Sequence, residues 1–108
     1  MYPGASNAPG GITIDLRKLD GIELDEETMT TALGPGSRWG DVYEALEPFN
    51  VTVVGGRTTI VGVGGFILGG GISFISRRYG WALDNVRNFE VSFSSLSNVL
   101  LTSAGRIS

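Results

Sequence analysis

The 108 residues contain no cysteine and no histidine. Their absence removes disulfides, zinc sites of the usual kind, thiol nucleophiles and any imidazole general base from this stretch of chain. It also leaves the redox compartment unreadable. Basic residues number 8 against 11 acidic ones, and the net charge of −3 disfavours a nucleic-acid surface. The segment from Met1 to Asn7 has neither a basic start nor an apolar run and does not read as a signal peptide. Localisation stays open. Long apolar segments are missing too, with one exception. Thr58 to Ser76 carries no charge, Arg77 and Arg78 follow it, and Gly65 and Gly69 stand in helix-dimer spacing. The triple glycine at 69–71 argues against a membrane helix there, because each glycine costs roughly 1 kcal/mol relative to alanine in a helix.

Glycine is what the chain has in excess. Of the 17 glycines, those at 55, 56, 62, 64, 65, 69, 70 and 71 crowd into the stretch from Val54 to Ser73. Such a concentration gives up regular structure for backbone that turns sharply or lets a ligand come close. Consecutive free N–H groups in a loop of this kind attract anions, typically phosphates. The stretch therefore reads as a loop that cradles a phosphate-bearing cofactor, the alternative being turn glycines with no ligand. The common nucleotide loops do not fit. The dinucleotide fingerprint needs a third glycine five positions on, where Ile67 and Phe74 stand instead, and no Gly-Lys-Ser/Thr run is present.

The length suits one small domain. Residues 1–11 are rich in turn signals. Ile12 to Leu16 alternates apolar and polar as a half-buried strand does, and Arg17 to Glu27 reads as a charged surface turn. Thr28 to Leu33 predicts a strand ended by Gly34-Pro35-Gly36. Ser37 is a candidate N-cap for a helix from about Arg38 to Leu46, stopped by Pro48. Its buried face is Trp39, Val42, Tyr43 and Leu46. Val51 to Val54 predicts a short strand, and Ile72 to Tyr79 a short helix closed by Gly80. Asp84-Asn85 marks a turn before a strand over Val86 to Phe93, with Phe89, Val91 and Phe93 facing inward. The order β-β-α-β-glycine loop-α-β is an α+β pattern.

Taken together, Gly34 to Leu46, Val53 to Gly56, Val61 to Ser73, Tyr79-Gly80 and Asp84 to Val86 resemble the FAD-binding, PCMH-type domain of the vanillyl-alcohol-oxidase and berberine-bridge-like flavoproteins, in its fungal form. The resemblance runs from about Tyr2 to Val91 and leaves residues 92–108 as a divergent tail. It implies that the glycine stretch wraps the FAD diphosphate and passes beside the flavin ring. The residues it places at the cofactor are Ser6, Asn7, Gly56, Thr58, Gly62, Gly64, Gly65, Gly69, Gly70, Gly71 and Val86. For Ser6 and Asn7 an ordinary turn is an equal alternative, and Arg57, Arg77 and Arg78 read as solvated charges that could neutralise phosphate.

The departures from the family matter as much. Members usually attach FAD through a histidine in an Arg-x-Gly-Gly-His motif, which the resemblance puts upstream of Met1. Thr58 stands where many have a second attaching cysteine, and Phe66 where some have a histidine near the flavin. The substrate domain and catalytic base of full-length members are not among these residues. The expectation is an incomplete FAD domain of an oxidoreductase that takes a hydride from a C–OH or similar carbon and is reoxidised by O₂. FAD is expected to be held non-covalently, with a small-molecule substrate only in a full-length context, and the chain alone is expected to be marginally stable and inactive. Two other readings compete with it: a non-catalytic remnant, and a small glycine-rich membrane-associated protein.

Overall fold

The computed structural model describes residues 4–92 and the backbone of 98–102. Two antiparallel hairpins bracket three helices. β1 (Ile22–Asp25) pairs with β2 (Thr30–Leu33) in the register Ile22 to Leu33 and Asp25 to Thr30. The connecting turn is held by Asp25, whose carboxylate accepts the N–H of Glu27 at 2.9 Å and of Thr28 at 3.2 Å. Hydrogen bonding, led by the Thr28 side chain, holds the Asp25 carboxyl below its usual range. α1 (Trp39–Leu46) follows, and its chain runs on into a single 3₁₀ turn at Glu47–Phe49. α2 (Val63–Leu68) and α3 (Ser76–Tyr79) are short. A 3₁₀ turn at Leu83–Asn85 leads to β3 (Asn88–Ser92), which pairs with β4 (Asn98–Thr102).

The core is small and centres on α1. Trp39, Val42 and Leu46 are buried along one face of that helix, and Val63 of α2 joins them. Ile22, Leu24 and Leu33 of the first hairpin pack against this cluster, as do Tyr43, Phe66 and Ile67. The Trp39 ring meets Phe66 edge-on with centroids 5.2 Å apart, and stacks with Tyr43 at 6.2 Å. Such pairs add roughly 0.5–1.5 kcal/mol beyond burial.

Several expectations are corrected. Ile12 to Leu16 has no regular structure and pairs with no strand among the described residues, and Ile12 is 92% exposed. Alternation tells which side chains share a face; a strand also needs a neighbour for its N–H and C=O groups. Val51 to Val54 fails as a strand for the same reason. Conversely, part of the charged segment at 17–27 forms β1, because Ile22 and Leu24 reach the core while Glu23 and Asp25 face out. β2 starts at Thr30, after Met29 adopts a φ of 51° to close the turn. The segment expected as a helix over 72–79 is helical only from Ser76. The glycine stretch contains a helix, α2, where loop was expected, since Val63, Phe66 and Ile67 bury one side of it. The apolar run at 99–101 belongs to β4. Phe93 of the inward face lies outside the described residues.

Ser37 is not the N-cap of α1. That position belongs to Arg38, and Ser37 is buried with its Oγ lacking a hydrogen-bond partner. A buried hydroxyl left unpaired costs about 1–3 kcal/mol. Ser37→Ala is therefore expected to raise the melting temperature by several degrees for a chain this size. A thermal melt by circular dichroism checks it, and a clear fall would show that the hydroxyl has a partner.

Candidate cofactor site

The glycine stretch is fastened to the rest of the fold at its middle and near its end. At its middle, an antiparallel bridge joins Arg38 and Gly62. Trp39 N–H donates to Val61 O at 3.1 Å, Val63 N–H to Ser37 O at 2.9 Å, and Gly40 N–H to Thr59 O at 3.0 Å. At its end, Ala82 N–H donates to Gly71 O at 2.9 Å and Leu83 N–H to Gly70 O at 3.0 Å. The clasping segment is itself braced. Asp84 accepts the Trp81 N–H at 2.8 Å, and the Asn85 amide donates to Tyr79 O at 3.0 Å and Trp81 O at 2.8 Å. The Asp84-Asn85 turn expected from the sequence thus locates Gly70 and Gly71.

Two adjoining clefts open along this scaffold. One, of about 400 Å³, is lined by Gly56, Arg57, Thr58, Val61, Gly65, Phe66, Gly69, Gly71 and Ile72. The other, of about 340 Å³, shares Gly56 and Arg57 with it and reaches Tyr43, Thr59, Ser73 and Phe74. Tyr43 donates its hydroxyl to Gly56 O at 2.7 Å, and burial pushes its phenol pKa up, so it stays a neutral donor. Trp39 Nε1 is buried without a partner, against Gly56.

The glycines divide by what surrounds them. A Cβ at Gly62 or Gly65 would meet no atom within 4 Å, so those backbones face open space. The amide N–H groups of Gly64 and Gly65, in the first turn of α2, have no hydrogen-bond partner among the described residues. Gly55 and Gly56 instead lie flat on the Trp39 ring. Gly70 and Gly71, with φ of 93° and 70°, are pressed against Trp81 and Phe66.

Of the residues anticipated at the cofactor, the larger cleft gathers Gly56, Thr58, Gly65, Gly69 and Gly71. Gly62, Gly64 and Gly70 belong to the same scaffold without lining either cleft. Ser6 and Asn7 stand in the exposed arm, where Asn7 accepts a hydrogen bond from Thr13 Oγ1 at 2.7 Å. Val86 is half-buried after the 3₁₀ turn, away from both linings. Arg57 is the residue that reading the sequence undervalued. It sits inside the glycine stretch, a visible signal, and lines both clefts.

Unpaired amides, open glycine backbone, a threonine hydroxyl and an arginine around one cleft define a domain suited to a phosphate-bearing organic cofactor. Comparison with known proteins names the cofactor. Residues 1–95 match the FAD binding domain family, and the chain belongs to it. It is 52% identical over 102 residues to the FAD-dependent monooxygenase tpcD of Cochliobolus heterostrophus, covering 94% of this chain and 20% of that protein. The fold superposes on 6-hydroxy-D-nicotine oxidase from Arthrobacter nicotinovorans with a TM-score of 0.86 and 28% identity, over 92% of this chain and 22% of the other. A berberine-bridge-like protein of Physcomitrella patens gives 0.75 and 28%, over 82% and 20%. The chain thus spans about a fifth of the length of the relatives it matches. It is an α+β FAD-binding domain of the PCMH type, as its resemblance to the berberine-bridge-like flavoproteins implied, and its cofactor is FAD.

Proposed function

We propose that these residues by themselves hold FAD non-covalently, and that they form part of an oxidoreductase that removes a hydride from a C–OH or similar carbon of a small molecule and returns the electrons to O₂. The observation that carries the reading is Gly65 in the lining of the larger cleft, its amide unpartnered among the described residues and its backbone open. Bound flavin supplies the two-electron acceptor. The chain's own share is to bind and orient. Gly65 offers an N–H donor, Thr58 offers a hydroxyl, and Phe66 and Ile72 add apolar surface to the cleft. The relatives support redox chemistry with O₂, one being named a monooxygenase and another an oxidase. The linings of the two clefts contain no aspartate, glutamate or histidine, so a base for the substrate would come from other residues of a full-length protein. The acidic balance supports no nucleic-acid role, and among the described residues no helix is long and apolar enough to cross a membrane.

For these residues by themselves, non-covalent binding is supported by Thr58 at the cleft, a hydroxyl where attachment would need a thiol, and by the lack of histidine among them. Titration of the chain with FAD, followed by flavin fluorescence, is expected to saturate. Acid precipitation of the loaded protein is expected to release all flavin to the supernatant. Absence of saturable binding refutes the function; yellow colour held in the pellet refutes the mode of attachment.

A further inference from the structure

The inference concerns Arg57 and rests on the FAD-binding reading. Arg57 is the cation common to both clefts, and neither lining contains another charged side chain. Among the described residues it forms no ion pair. Its contact is with Phe74, the ring centroid lying 5.9 Å from the guanidinium carbon. Phe74 is 80% exposed, so the stack lies at the rim of the smaller cleft. Arg57 is itself exposed, so it is reachable from solvent as well as from both clefts. An arginine laid on an aromatic face keeps its planar edge free, and that edge presents several N–H donors to an oxyanion. Next to it stand the Thr58 hydroxyl and the open backbone of Gly65. The chain is acidic overall, so a positive centre here acts locally against the general field.

We propose that Arg57 pairs with the negative charge of the flavin cofactor, and that Phe74 positions its guanidinium for this. That charge has two locations: the diphosphate, always ionised, and the ring, which gains negative character on reduction. The test uses the 108-residue chain as it stands, with the variants Arg57→Met, Arg57→Lys and Phe74→Leu, each first checked for an unchanged circular dichroism spectrum. FAD and riboflavin affinities are measured by fluorescence titration at two salt concentrations, and the two-electron midpoint potential of the bound flavin is measured beside them.

A diphosphate contact is expected to appear as about a ten- to hundredfold loss of FAD affinity in Arg57→Met, the size of one charge-assisted hydrogen bond. The salt dependence would weaken, and riboflavin binding would not change. A ring contact is expected to appear as a lowered midpoint potential in the same variant. Arg57→Lys recovers part of either effect, because it keeps the charge and loses the planar fork. Phe74→Leu gives a smaller loss of the same kind. Wild-type binding that Arg57→Met leaves intact in affinity, salt dependence and potential overturns the assignment of Arg57 alone. Failure of the wild type to bind FAD overturns the function and, with it, this role.

Discussion

Trp39→Ala is expected to leave the chain unfolded at room temperature. Trp39 is 1% exposed, and among the described residues the cluster it anchors contains three other buried residues, Val42, Leu46 and Val63. Its ring contacts Phe66 and Tyr43, and Gly55 and Gly56 lie against it. Truncating a buried tryptophan costs roughly 3–5 kcal/mol. A domain this small has a total stability on the order of 5 kcal/mol, so the loss consumes most of the margin. Partial collapse of the cavity cannot recover much, because the Gly55–Gly56 backbone has no side chains to fill it. A circular dichroism melt of wild type and variant side by side decides the matter. A cooperative transition in the variant within a few degrees of wild type would sink this account of the core.

Gly70→Val is expected to abolish FAD binding, and to do so by displacing the scaffold. Gly70 has a φ of 93°, a backbone state that a β-branched residue reaches only under strain. A Cβ there would come within 2.5 Å of the ring of Trp81, whose backbone the Asp84 and Asn85 hydrogen bonds hold. The half-exposed Trp81 ring would have to turn aside, and the Gly70 backbone could not relax its φ without disturbing the clasp from Ala82 and Leu83. Gly62→Ala serves as the contrast, since a methyl there meets open space and the φ is an ordinary −73°. Fluorescence titration of both variants is expected to show no saturable binding for the first and a folded, flavin-binding protein for the second. Retained affinity in Gly70→Val would mean that the clasp does not locate the cleft.

The elements most visible in the sequence were those whose side chains carry their own packing. The α1 face was readable because Trp39, Val42 and Leu46 repeat at helical spacing, and β3 because Phe89 and Val91 alternate. What escaped notice depended on partners. Ile12 to Leu16 has the alternation of a strand and no neighbour among the described residues, whereas Ile22 to Asp25 looked like charged loop and pairs with β2. The glycine stretch was legible as a site before it was legible as a shape. Its composition pointed to an anion cradle, but composition does not separate Gly65, open to a ligand, from Gly71, buried against Phe66. That difference comes from aromatic rings brought in from elsewhere in the chain. Arg57 was likewise plain to see as a residue, while its position between two clefts needed the fold.

The bridge between Arg38 and Gly62 makes the hydrophobic core and the cofactor cleft one cooperative unit. The same few hydrogen bonds that seat α1 also set the glycine backbone. Free energy from cofactor binding is therefore delivered straight to the fold: a ligand at a hundred times its dissociation constant adds about 2.7 kcal/mol to stability. For so slight a core, that is a large share of the whole. FAD is then expected to act as a folding ligand, the melting temperature of the chain rising with flavin concentration.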